Sequence, residues 1–331
     1  MDIVTVGPDD PLVGAVVALL NEGARLDSPW RPPTTERGLR AMLRHGWDGE
    51  APPWFACLVD GQIVATGGVF ASTYDNLNAA WLEVQVHPDS RRRGFGTALV
   101  THLESSAAGD GRTVLGIDGW EAPGVSSFAA AHGYELKQHS VCRRLTVTPD
   151  LPARLAPLHD EALAKAGDYE LIRLAGPLPD DWLAPMGQLV AAINDAPLDD
   201  LVLEDEVFPA ERLKGYDQGQ LARGHRLYRV IARHRPTGEL AGHTVVAVEQ
   251  DRPHLGDQHD TSVIAAHRGH RLGMLLKTEM MRWLGEAEPK LEQVDTFNAE
   301  SNDHMIGVND AMGYQPVGRA VIFQKGADDT N

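Results

Sequence analysis

The 331-residue chain has little cysteine, a deficit of positive charge and no long apolar run, and each shortage excludes something. Only Cys57 and Cys142 occur, far apart and without metal-ligand spacing. They read as buried thiols of a reducing compartment, not as a disulfide frame or a nucleophile. Lysine and arginine number 30 against 47 aspartates and glutamates, giving a formal net charge of −17. Such a surface does not attract nucleic-acid backbones or anionic membrane, so neither is an expected partner. No apolar stretch approaches the roughly 18 residues of a membrane span. The start, "MDIVTVGPDD", has neither the basic nor the apolar segment of a signal peptide, and a cytoplasmic location is expected. The histidines lack His-x-x-x-His spacing, so no metal is expected. Neither Gly124-Val125-Ser126 nor Asn194-Asp195 makes a nucleophile elbow.

What is present is ordinary globular material in a repeated order. Hydrophobic residues make up 43% and charged residues 23%, and the length suggests two domains. "DIVTV" alternates as a strand, and "PLVGAVVALLNEGARL" and the threonine-capped "TTERGLRAMLRHG" follow with helical spacing. "WFACLVDGQIVATGGVFAS" is a hairpin about Asp60-Gly61, and "AAWLEVQV" is a further strand. A basic glycine loop and the helix "GTALVTHLESSA" come next, then the strand "TVLGIDGW". The helix "GVSSFAAAHG" and the closing strand "HSVCRRLTV" complete the first half. The second half repeats this order, from "YELIRLAG" to "GRAVIFQK", with a hairpin about Thr237-Gly238 and a second basic loop at "HRGHRLG". Gly96 and Gly273 are offset by 177 residues and Gly133 and Gly313 by 180, which indicates a duplicated α+β domain. The expected division is residues 1–148, a Pro- and Ala-rich linker at 149–167, and 168–326.

Function concentrates in "EVQVHPDSRRRGFGTALV". Glycines let the backbone turn its N–H groups inward, the helix adds its positive end, and arginines supply counter-charge: a nest for a di- or triphosphate. A tight strand-to-helix turn with a solvated charge run is the alternative. The order strand, Val-x-Pro, Arg-x-x-Gly-x-Gly, helix, strand, helix, Gly-aromatic resembles the GNAT superfamily of acyl-CoA-dependent N-acetyltransferases. The tandem arrangement resembles that of the mycothiol synthases and related actinobacterial two-domain acetyltransferases. The resemblance implies two GNAT-type domains, each a mixed, mostly antiparallel sheet flanked by helices, with acetyl-CoA as cofactor.

It also implies the site residues. In the first copy these are Val86, Arg91, Arg92, Arg93, Gly94, Phe95, Gly96 and Thr97. In the second they are Val263, Arg268, Gly269, His270, Arg271, Leu272 and Gly273, with Arg271 where the family has its first glycine. The family often places a base three residues before the strand's terminal valine, which gives Glu83 and Asp260; for each, an exposed strand acid is the alternative. Asn302 stands at the family's pantetheine-contacting asparagine, and Asn298 is a polar strand residue suited to ligand. Asn309 stands where the family has a thiolate-protonating tyrosine; Ala122 and Ala129 occupy the two corresponding positions of the first copy.

The second copy is therefore expected to carry catalysis and the first to keep the better phosphate loop. The expected activity is acyl transfer, from acetyl-CoA, to an amine of a small molecule, by a monomer or homodimer. The missing tyrosines keep a non-catalytic acyl-CoA sensor as the alternative.

Overall fold

A computed structural model describes residues 1–326, in two compact units. Unit 1 is built from Met1–Ser140, Leu198–Asp205 and the strand residues from Gly318 onward, and unit 2 from Val141–Pro197 and Glu206–Val317.

Unit 1 runs β1 (Asp2–Thr5), α1 (Val13–Asp27), α2 (Glu36–His45), β2 (Trp54–Val59), β3 (Gln62–Phe70), β4 (Ala79–Val86), α3 (Phe95–Gly109), β5 (Val114–Trp120) and α4 (Val125–Ala131). Strands β1 to β4 pair antiparallel in sequence order, and β5 pairs parallel to β4. The turn between β2 and β3 has Asp60 at φ 50° and Gly61 at φ 77°, the two left-handed residues that a type I′ hairpin requires. Thr35 caps α2 by accepting the Gly38 N–H at 3.0 Å. Leu99, Val100, Leu103 and Ala107 of α3, on one helical face, pack against Ala65, Leu82 and Ile117. Val13, Val16, Leu39 and Leu43 of α1 and α2 pack with Trp54 and Ala56 in a second cluster. Burying each such leucine or valine contributes about 1.5–3 kcal/mol.

Unit 2 contains α5 (Leu151–Lys165), β7 (Tyr169–Ala175), α6 (Leu183–Val190), α7 (Ala210–Ala222), β8 (His225–His234), β9 (Leu240–Glu249), β10 (Leu255–Val263), α8 (Leu272–Ala287), β11 (Gln293–Ala299) and α9 (Asp303–Met312). Strands β7 to β10 are antiparallel and β11 is parallel to β10, repeating the first arrangement. The α+β class and the mostly antiparallel sheet thus appear in each unit.

Two features depart from a division at residues 149–167. The expected linker is helix α5, whose Leu151, Leu155 and Ala162 are buried in the core of unit 2 with Leu275 and Met280 of α8. Its apolar stripe outweighs its prolines: Pro152 sits in the first turn, where an N–H is not needed, and Pro157 is tolerated inside the helix. The closing strands also differ. The sixth strand, β6 (Glu135–Thr146), lies in unit 2 from Val141 onward. The twelfth, β12 (Gln315–Lys325), enters unit 1 at Gly318 and pairs antiparallel with β5, from Ala320↔Trp120 to Lys325↔Leu115. Strand pairing is chosen in space, so sequence order did not reveal this exchange. Cys57 and Cys142 are buried and are not joined in a disulfide.

Candidate active site

Strands β4 and β5 pair from Ala79↔Val114 to Leu82↔Ile117 and no further, although they continue to Val86 and Trp120. Each is held on its outer side, β4 by β3 up to Ala65↔Val86 and β5 by β12 up to Ala320↔Trp120, so they splay apart like a fork. The wedge is a cavity of 520 Å³ walled by Leu82, Val84, Val86, Ile117, Trp120 and Phe128, among others. That volume is typical of small-molecule sites. The first residues past the fork are Glu83 and Asp118.

Val86 and the loop after it close the cavity, with Arg91, Arg92, Gly94, Gly96 and Thr97 in its wall. Arg92 (φ 62°) and Gly94 (φ 87°) are left-handed, the alternation that turns successive N–H groups to one side as an anion nest. Space above Gly94 is open, whereas a Cβ on Gly96 would meet the Phe128 ring at 3.1 Å and Val86 at 3.3 Å. Arg91 is a brace: its guanidinium forks onto Asp27 at 3.1 and 2.5 Å, and its Nε donates to the Val86 carbonyl at 3.3 Å. Arg93 lies over the Phe95 ring, and the Thr97 hydroxyl is 3.2 Å from His132 Nε2.

The loop of unit 2 keeps this backbone with its glycine moved. Gly269 (φ 84°) and Arg271 (φ 56°) are left-handed, at the positions of Arg92 and Gly94. Arg271, which stands where the family has its first glycine, adopts the glycine conformation at a cost of about 1 kcal/mol. Arg268 repeats the brace, bonding Asp195 and donating from Nε to the Val263 carbonyl at 3.2 Å. Arg271 pairs with Glu161 at 3.0 Å, and the His270 ring lies 5.5 Å from that of Tyr169. Leu272 belongs to the core, while Gly273 has open space beside it.

Burial pushes the half-buried Glu83 up to about 7, with repulsion from Asp118 adding and the Arg31 guanidinium opposing. Asp118 is exposed on β5, yet the crevice desolvates its carboxyl and raises it, with the Arg31 guanidinium opposing. Asp118 is a functional candidate that sequence reasoning missed; its signal was a lone acid in the apolar run "VLGIDGW".

The fork of unit 2 is chemically different. Strands β10 and β11 pair up to Gln258↔Thr296, and a register shift against β9 between Gln258 and Thr261 inserts one residue. Counted from the fork, His259 and Phe297 stand where unit 1 has Glu83 and Asp118. The Tyr216 hydroxyl is 2.5 Å from His259 Nδ1, and Asp257 lies 3.5 Å from Nε2. Asp260 accepts from the Ser262 hydroxyl at 2.8 Å and lies 2.8 Å from His243 Nε2. Asn302 caps α9 through the Met305 N–H, and Asn309, fully buried, donates to Asn298 Oδ1 at 2.7 Å. These three asparagines thus have local structural partners as well as the positions that suggested a ligand role.

Residues 20–131 match the model of the Acetyltransferase (GNAT) family. A mycothiol acetyltransferase of Geodermatophilus obscurus is 37% identical over 123 residues, 37% of this chain and 38% of that protein, so well under half of the relative's length is spanned. A tandem GNAT protein from the clavulanic acid biosynthesis pathway, solved without AcCoA, superposes with a TM-score of 0.78 at 27% identity, covering 100% of this chain and 99% of that one. A GCN5-related N-acetyltransferase from Sphaerobacter thermophilus shares the fold, with a TM-score of 0.68 at 14% identity over 98% and 95% of the two chains. The forked sheet and left-handed loop of residues 20–131 thus match the GNAT family, and the chain as a whole is similar to a tandem GNAT protein.

Proposed function

We propose that the chain is an acyl-CoA-dependent N-acyltransferase that uses acetyl-CoA, acts on an amine of a small molecule, and holds the thioester in the wedge of unit 1. One observation carries this reading: a cavity with a phosphate nest in its wall and a carboxylate pair at the root of its fork. The residues fit the cofactor. The nest N–H groups and Arg92 suit its phosphates, and the open strand edges suit an extended chain bearing amides. Gly96 leaves room where a Cβ would crowd Val86 and Phe128. Acetyl-CoA supplies a thioester carbonyl already activated for attack, so positioning is the protein's main task.

Glu83 holds and moves the proton. With its carboxyl at about 7 it is partly ionised at neutral pH, the balance a general base needs to take a proton from an ammonium group. Asp118, by repelling the charge on Glu83, helps to set that balance. The small-molecule preference is supported by the names of the mycothiol and clavulanic acid-pathway relatives. The absence of the family's tyrosine at Ala129 and Asn309 favours the second reading, a protein that binds acyl-CoA without transferring its acyl group.

Incubation with acetyl-CoA and a panel of amines, following free thiol, tests the proposal. Amine-dependent thiol release that is lost in Glu83→Gln supports it. Tight acetyl-CoA binding with no release across the panel supports the second reading. Release unchanged in Glu83→Gln but abolished in Asp260→Asn would move the chemistry to unit 2.

A further inference from the structure

The segment between α1 and α2 carries a group that the proposed reaction has not used. Trp30 and Trp120 meet edge to face at 4.5 Å, and the guanidinium carbon of Arg31 lies 5.4 Å from the Trp120 ring centre. Trp120 and Asp118 wall the cavity, so this aromatic and cationic cluster lies at its edge. Arg31 is close enough to lower the carboxyls of both Glu83 and Asp118, yet among the described residues it forms no ion pair with either. Trp30 is fixed as well, because a Cβ on Gly318 would lie 2.1 Å from its ring. Stacking on an indole orients the guanidinium plane and leaves its N–H edges for a bidentate partner.

We propose that Arg31 is the anchor for a carboxylate on the acyl acceptor, so that the acceptor class of unit 1 is the amino acid-like zwitterion: its amine at Glu83 and Asp118, its carboxylate on Arg31, and its apolar part against Trp120. A simple polycation would meet repulsion from Arg31, and a simple anion repulsion from the two acids. The separation of one cation from two acids within one site matches a molecule carrying both charges. This rests on unit 1 being the site of transfer.

The test compares each common amino acid with its carboxamide, which keeps the amine and removes the negative charge, at a pH where both amines are protonated. Direct binding by calorimetry and acetyl-CoA-dependent thiol release are both measured, for wild type, Arg31→Gln and Arg31→Lys. A charged hydrogen-bonded pair is worth about 10-fold or more, so at least one acid should be preferred over its amide by that factor. Arg31→Gln should bring the ratio to about 2-fold or less with acetyl-CoA affinity and melting temperature unchanged, and Arg31→Lys should keep part of it. Equal use of acids and amides, no pair that binds preferentially, or a preference that survives in Arg31→Gln overturns the assignment. Failure of the transfer reading looks different: no thiol would be released, while an Arg31-dependent preference would persist in direct binding.

Discussion

Glu83 ties protonation to stability and, as the proposed base, to rate. Its native carboxyl, at about 7, lies above the ordinary 4.5, so between those values the folded chain holds a proton that the unfolded chain has lost. Its contribution to stability is full below about pH 4.5 and is lost as pH rises through about 7. Under the proposed function catalysis runs the opposite way, since the base is the ionised form. Acyl transfer should rise with pH through a midpoint near 7, and Glu83→Gln should lower kcat about 100-fold and remove that limb. The same variant should be more stable than wild type at alkaline pH. Lys277, on α8 of unit 2, shows the opposite linkage. It is 1% exposed, its Nζ has no hydrogen-bond partner among the described residues, and it lies 4.8 Å from the centre of the Tyr314 ring. Burial lowers it to about 7 from 10.5, so the unfolded chain binds the extra proton between those values and stability rises with pH there. The residue at the equivalent place in unit 1 is Val100. Lys277→Met should raise stability at neutral pH by on the order of 2 kcal/mol and flatten that rise, measured by urea unfolding across pH.

At the scale of the element, the two loops show one backbone specified by two sequences. A left-handed residue is needed at two positions, and either can be glycine. Gly269→Ala should therefore cost about 1 kcal/mol, while Arg271→Gly should be neutral or stabilising by up to about 1 kcal/mol, since the lost Glu161 pair is exposed. Chemical denaturation of both variants checks the sign. The hairpin at Asp60-Gly61, the threonine cap of α2 and the first phosphate loop were legible because each is decided within a few residues. The register shift in β10 was not, because an inserted residue shows only in the partner strand. Counting back from Val263 consequently selects Asp260, whereas counting from the fork selects His259. Asp118 stayed hidden for a similar reason: its partner Glu83 is 35 residues away in sequence, and nothing local joins them.

At the scale of the whole molecule, the last strand has a testable consequence. β12 from Gly318 onward belongs to unit 1 and covers the outer edge of β5. Truncation after Val317 should expose β5, destabilise unit 1 and abolish the acetyl-CoA binding proposed for it. Hydrogen exchange should rise first in Val114–Trp120, and a chain that keeps full protection there would contradict the pairing.

The sequence by itself determined the duplication, the α+β elements and the nest, because periodicity, turn residues and glycine spacing act over short range. Only the tertiary structure decided which strand completes which sheet, where the fork opens, and that the charges of Glu83, Asp118 and Arg31 act on one another. Pairing edges and the fields between distant charges depend on spatial neighbours, and linear order does not specify those.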